Sequence, residues 1–245
     1  MPSLSVVVPA LNEEDNLRPT IQAVLKHLGP LTGSLEVLVF DDASTDRTGE
    51  IADELAREDA RVRVVHNVRR LNIGGNYKAG VQRASGEYVV LVPGDNETRV
   101  DEIARGLLTL RGADLLVFHV TNTHVRPRGR RILSRLYVWA VNLVFGTRFR
   151  YTNGTNVFRT AVVRAIPIRT DGFSYQTEAL VKAVRSGVDF LSLGIELQTR
   201  EAGASKALTL KNLTTVVSAL ARLWWEVFVA DRRRYRRRGS RIDVA

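Results

Sequence analysis

Over the first 120 residues, two apolar rhythms alternate. Short runs rich in valine, leucine and isoleucine at 4–8, 35–40, 62–66, 88–92 and 115–120 read as buried strands. Between them, apolar positions recur at helical spacing. Residues 12–28 place Leu17, Ile21, Val24, Leu25 and Leu28 on one face, with acidic residues first, where a helix dipole favours them. Further helices are predicted over 48–57, after Ser44-Thr45-Asp46, and over 101–110. The stretch 72–84 opens through Gly74 and Gly75 as a loop entering a helix. This alternation predicts an α/β fold: a doubly wound, mostly parallel central sheet flanked by helices. Such sheets bind ligands beyond the carboxyl ends of their strands. Three polar clusters follow strand ends, Asn12-Glu13, Asp41-Asp42 and Asp95-Asn96-Glu97, and are expected to share one crevice.

After residue 120 the rhythm changes. An arginine-rich loop, an apolar helix, a loop rich in Asn, Gly and Thr, and another helix suggest a second half rather than more sheet. Near the end, Leu213, Val216, Val217, Leu220, Leu223, Trp224, Val227 and Phe228 recur on one helical face, and an arginine run at 232–238 follows at once. An amphipathic helix with tryptophans and a polybasic end suits an anionic membrane surface. The plainer reading is a helix packed on the domain, or on a second subunit, with a solvated tail.

Composition narrows the classes. A chain of 245 residues, 44% hydrophobic, can bury the core of one large domain. With no cysteine there are no disulfides or thiolate metal sites. No signal peptide and no apolar run of the ~20 residues needed to span a bilayer are expected. The net charge is +10, and residues 231–245 supply half of it, seven arginines against Asp231 and Asp243. A second basic cluster is Arg126, Arg128, Arg130, Arg131 and Arg135. Basic clusters suit phosphate-bearing partners. Nucleic acid is not expected, because the strand-end clusters are acidic. Walker and dinucleotide glycine motifs are both lacking.

Four stretches carry a family resemblance: Val7-Val8-Pro9-Ala10-Leu11-Asn12-Glu13-Glu14, Asp41-Asp42-Ala43-Ser44-Thr45-Asp46-Arg47-Thr48, Asn72-Ile73-Gly74-Gly75 and Pro93-Gly94-Asp95. In this order they resemble family 2 glycosyltransferases, which implies the Rossmann-like GT-A fold of nucleotide-diphospho-sugar transferases. The resemblance implies that Pro9, Leu11, Glu13, Asp41, Asp42, Gly94, Asp95 and Asn96 bind the nucleotide sugar. It also implies that Asp95, with Glu97, holds a divalent cation, Mg or Mn, against the diphosphate; such hard cations prefer oxygen ligands. Three departures stand out. Pro93 occupies the place of the first aspartate of Asp-x-Asp, Leu11 stands where tyrosine is common, and Phe118-His119-Val120 lacks the basic residue often found after the fifth strand.

The second half is similar to polyprenol-phosphate sugar synthases of the dolichol-phosphate mannose synthase type. The similarity rests on Arg130 with Ser134, Asn153-Gly154 ahead of Phe158-Arg159, Glu178, and Arg200-Glu201-Ala202-Gly203-Ala204-Ser205-Lys206. It implies that Arg130, Ser134, Arg200 and Lys206 hold an acceptor phosphate and that Glu178 orients the sugar. The implied catalytic set is Asp95, Arg130, Arg200 and Lys206. A phosphate acceptor is already anionic, so it needs charge screening and orientation rather than a general base. The organisation expected is a catalytic domain over 1–210, with a nucleotide-sugar half 1–120 and an acceptor half 121–210, then the amphipathic helix and polybasic tail over 211–245. The expected partners are a nucleotide-diphosphate sugar, a polyprenyl phosphate and an anionic membrane surface. A cytoplasmic protein peripheral at the inner face of the membrane follows, with self-association left open. Competing readings are a transferase to a hydroxyl of a glycan or glycolipid, with Glu178 or Glu97 as base, and a non-catalytic nucleotide-sugar or anionic-surface binding protein.

Overall fold

The computed structural model describes residues 1–122, 128–196 and 210–244; the side chains of Arg130 and residues 210–215 fall outside the description. The chain begins β1 (Ser3–Ala10), α1 (Leu17–Leu28), β2 (Ser34–Asp41), α2 (Thr48–Glu58), β3 (Val62–His66), α3 (Asn72–Arg83), β4 (Tyr88–Leu91), α4 (Val100–Thr109) and β5 (Leu115–Val120). Periodicity located each of these. The largest shift is at α1, which starts five residues after the predicted residue 12. Asn12 takes a left-handed conformation (φ 56°), and the amides of Asn16 and Leu17 close on the Glu13 carbonyl at 3.0 and 2.8 Å.

The remainder is α5 (Arg128–Phe145), β6 (Asn156–Arg159), α6 (Thr160–Arg164), α7 (Tyr175–Arg185), β7 (Phe190–Ile195), α8 (Leu210–Trp225), a π-helical turn Glu226–Ala230 and β8 (Arg241–Asp243). Among the described residues all strands join one eight-stranded sheet in the order β3-β2-β1-β4-β6-β5-β7-β8. The expectation of no further sheet after residue 120 is therefore corrected. The added strands are short and polar in part: β6 begins at Asn156 and ends at Arg159, and β7 carries Ser192 and Gly194. They lack the apolar run that marks a buried strand. β6 pairs antiparallel with both β4 and β5, while every other pairing is parallel.

Alternate side chains of β1 serve two cores. Val6 and Val8 join Leu17, Ile21, Val24 and Ile103 on one face of the sheet. Val7 lies on the other with Tyr77, Val81, Phe158 and Leu180. There α3 crosses so closely that a Cβ on Gly80 would fall 2.5 Å from Val7.

The C-terminal segment returns to the domain. Ala219, Leu223 and Val227 bury one face of α8 and its continuation, while Val217, Trp224, Trp225 and Val229 stay exposed. The stretch read as a polybasic tail buries Tyr235, and β8 pairs with β7 through Arg241 to Asp243. The chain is anchored by a buried ion cluster. Lys182 of α7, fully buried, donates to Glu178, Glu226 and the Pro167 carbonyl, each at 2.6 Å, so all three ammonium protons are satisfied. Removing one carboxylate from such a site leaves a charge poorly compensated away from water. Glu226→Ala is expected to destabilise the protein by about 3 kcal/mol, measured by urea denaturation. A loss under about 1 kcal/mol, the range of exposed pairs, would contradict the anchoring role.

Candidate active site

Parallel register sets Ala10 of β1 beside Asp41 of β2, so the loops after both strands leave the sheet together. The loop after β4 joins them, because Val92 and Gly94 donate to the carbonyls of Val7 and Pro9, both at 3.0 Å. The first two loops interlock through side chains. The Asn12 amide donates to Ser44 Oγ (3.1 Å), the Thr45 amide to Asn12 Oδ1 (2.8 Å), the Glu13 amide to Thr48 Oγ1 (2.8 Å) and the Arg47 amide to Glu14 Oε2 (3.1 Å). Asn12, Ala43 and Asn96, one in each loop, all have positive φ. Asparagine adopts this conformation readily; alanine at Ala43 does so at about 1–2 kcal/mol.

The two aspartates just before Ala43 have different work. Asp41 accepts the Ser44 amide at 3.0 Å and lies 3.1 Å from His66 Nδ1. Burial alone would raise its pKa, but hydrogen bonds from Ser44 and His66 outweigh it and hold the carboxyl below its usual value. His66 in turn lies 3.0 Å from Asp53. Asp42 is buried and faces the other way: it accepts the amides of Leu71 (2.7 Å) and Asn72 (3.0 Å) and the Asn67 side chain (2.9 Å). Its oxygens fix the start of α3, which accounts for its position without a nucleotide.

Glu13 reports where the carboxylates meet. Burial raises its pKa; a hydrogen bond from Asn16 pulls the other way, and the nearby charges of Asp95, Glu97 and Asp46 push it up again. The carboxylates after β1, β2 and β4 thus gather at one end of the sheet, as expected. Asp95 accepts the Glu97 amide at 3.1 Å in a tight turn, and Gly94 packs against Ala10. Pro9 and Leu11 lie half-buried at the same edge. Among the described residues, no three carboxylate or imidazole side chains could cage a metal. The donor set still fits a cation of the magnesium type, which takes one or two carboxylates and completes its shell with phosphate and water.

In the second half of the chain, Glu178 is buried and its oxygens hold protein groups: the amides of Arg169 and Thr170 at 2.9 Å, and Lys182. Burial would raise its pKa, yet Lys182 and those amides hold it low. The loop it fixes continues to Asp171, whose carbonyl accepts the Gly74 amide at 2.8 Å. A Cβ on Gly74 would meet the carbonyls of Thr170 and Asp171 at 2.7 Å, a physical reason for glycine in Asn72-Ile73-Gly74-Gly75. Ser134 lines a recess of about 110 Å³ with Arg131, Arg135, Val138, Val120, Arg150 and Tyr151. The Arg130 side chain, Arg200 and Lys206 lie outside the described residues. Sequence reasoning missed Arg131 and Arg135 as recess residues, although Arg131 stands three residues before Ser134 and four before Arg135, spacings that share a helix face. Arg150, His66, Lys182 and Glu226 have no such local signature.

The chain matches glycosyl transferase family 2 over residues 5–167 and belongs to that family. Among its relatives, polyprenol monophosphomannose synthase of Mycolicibacterium smegmatis is 30% identical over 214 residues, covering 82% of this chain and 79% of that protein. Glycosyltransferase AglD of Haloferax volcanii is 27% identical over 94% of this chain, which spans only 38% of AglD. Of solved structures, glucosyl-3-phosphoglycerate synthase from Mycobacterium tuberculosis, with Mg2+ and uridine-diphosphate, superposes with a TM-score of 0.65 at 20% identity, covering 91% of this chain and 79% of that one. The fold is GT-A and the protein is a glycosyltransferase.

The His66 pairing has a definite sign. Hydrogen bonds to Asp41 and Asp53 raise its pKa above 6.5. Its contribution to stability is therefore complete below 6.5 and lost as pH rises through the folded value. Asp41 contributes above 3.8, and loses its contribution as pH falls through its depressed value. NMR titration of the imidazole should find His66 above 6.5, moving down in Asp53→Asn; a wild-type value at or below 6.5 would contradict the pairing.

Proposed function

We propose that the protein transfers a sugar from a nucleotide-diphosphate sugar to the phosphate of a polyprenyl phosphate at a membrane surface, with inversion at the anomeric carbon. One juxtaposition on α5 carries this reading. Arg131, Ser134 and Arg135 line the basic recess, while Ile132, Leu136, Trp139 and Leu143 form an exposed apolar stripe on an adjoining face, Trp139 at 63% exposure. A ligand with an anionic head and an apolar tail satisfies both faces, and large exposed apolar patches mark interaction sites. Val217, Trp224, Trp225 and Val229 on and after α8 extend the apolar surface, and the neighbouring arginines favour anionic lipid. No helix among the described residues is long and apolar enough to cross a membrane. The mycobacterial relative's name, polyprenol monophosphomannose synthase, points to the same acceptor class.

In this reading Asp41 and Glu13, with Pro9 and Leu11, take the nucleoside, and Gly94, Asp95 and Asn96 bring the chain to the diphosphate. Asp95, aided by Glu97, would hold a divalent cation, which offsets charge on the leaving nucleotide diphosphate. Arg130, Ser134, Arg200 and Lys206 orient the acceptor phosphate, which attacks the anomeric carbon from the face opposite the leaving group. Glu178 positions the acceptor half through the 169–171 loop.

Lys206→Ala is expected to bind nucleotide sugar like wild type while losing transfer to polyprenyl phosphate by about 100-fold or more, the scale of a lost charge-stabilising donor. Unchanged transfer would count against the phosphate acceptor. Flotation with liposomes containing anionic lipid should recover the wild-type protein, and Trp139→Glu should reduce recovery. Absence of wild-type binding would remove the membrane from the account.

A further inference from the structure

Arg150 takes no part in the motifs above, yet it enters the recess from outside α5. Its backbone is fixed: the neighbouring Phe149 amide donates to Asn142 Oδ1 (2.9 Å), and the Phe149 carbonyl accepts Asn142 Nδ2 (2.8 Å). The guanidinium is held on two sides. One Nη donates to His119 Nε2 at 3.2 Å, and the other to Asp243 Oδ2 at 3.3 Å. Arginine stays protonated, so His119 Nε2 is the acceptor and its proton sits on Nδ1, 3.2 Å from Ser192 Oγ. Burial lowers the His119 pKa, and Arg150's charge lowers it further, which keeps this imidazole neutral. Asp243 does not cancel Arg150, because Arg241 also pairs with it at 3.2 Å. Two guanidinium groups against one carboxylate leave one positive charge. Arginine has five N–H donors; contacts to His119 and Asp243 engage two of them among the described residues, so the guanidinium has further N–H groups to offer a ligand. Among the described residues no carboxylate lines the recess, and its volume of about 110 Å³ is well above the ~10–15 Å³ that admits one water.

We propose that Arg150, braced by Asp243 of the C-terminal strand and by His119, binds a phosphate group in this recess together with Arg131, Ser134 and Arg135. Three arginines and a hydroxyl without a carboxylate select a phosphomonoester dianion, since the guanidinium fork matches phosphate oxygens. The end of β5 carries neutral His119, and Arg150 brings to it the positive charge that the strand lacks. Asp243 is a positioning residue: it acts through Arg150. The inference rests on the reading that the acceptor is a phosphate, and adds which residue recognises it.

The test uses the full chain as wild type, Arg150→Gln, Arg150→Lys and Asp243→Asn. Calorimetry measures binding of inorganic phosphate, of geranyl phosphate and of nucleotide diphosphate to each. Arg150→Gln should weaken both phosphate probes by about tenfold or more, the scale of a charged hydrogen bond, and leave nucleotide diphosphate binding unchanged. Arg150→Lys should recover part of the loss. Asp243→Asn should show a smaller loss confined to the same probes. Tighter binding of geranyl phosphate than of inorganic phosphate would identify a lipid source; equal binding would identify the bare phosphate group. The proposal is overturned if wild type binds neither probe, if Arg150→Gln binds both like wild type, or if it loses nucleotide diphosphate equally. Arg150-dependent phosphate binding without any transfer to polyprenyl phosphate would uphold this site and remove the proposed function.

Discussion

A parallel strand hands its chain to a loop, and every backbone N–H in that loop needs a partner. That requirement governs this protein. At the carboxyl edge of the sheet the partners are side chains from neighbouring loops: Asn12 and Glu14 hold the turn after β2, Ser44 and Thr48 hold the turn after β1, and Asp42 holds the approach to α3. A donor crevice built this way is rigid because each wall satisfies the backbone of the next. It also explains why polar residues cluster where the sheet ends rather than spreading over the surface.

Charge is divided across the molecule. Glu13, Asp46, Asp95 and Glu97 gather on the donor side, suited to a cation shared with a diphosphate. Arg131, Arg135 and Arg150 gather around the recess beside α5, a charge suited to a phosphate. The halves are joined by packed polar links: Asp42 to the start of α3, Gly74 to Asp171, the 169–170 backbone to Glu178, then Lys182 and Glu226. Through this chain the C-terminal helix is tied to the loops that shape the crevice. The final strand adds Asp243 beside Arg150, so this strand contributes to the basic recess as well as to the sheet.

The first five strands were legible because each is an apolar run closed by turn residues, and the convergence of the strand-end clusters followed from parallel topology alone. What escaped had no local signature. β6 and β7 interleave polar with apolar residues, and β8 is three residues inside an arginine-rich stretch, so pairing rather than composition makes them strands. Asp42 and Asp41 are adjacent and chemically alike; successive side chains at the end of an extended strand point to opposite faces, so one fixes a loop while the other turns toward His66. Lys182 and Glu226 are 44 residues apart, and burial of that pair is a tertiary fact.

The acceptor is the centre of the account, and one assay tests it most directly. Wild-type protein with magnesium or manganese and a panel of uridine and guanosine diphosphate sugars is followed for nucleotide diphosphate release, alone, with polyprenyl phosphate, and with a hydroxyl-bearing glycan. The account predicts release from one donor that depends on polyprenyl phosphate and is not supported by the glycan. Release driven by the glycan, and indifferent to the lipid phosphate, would contradict it.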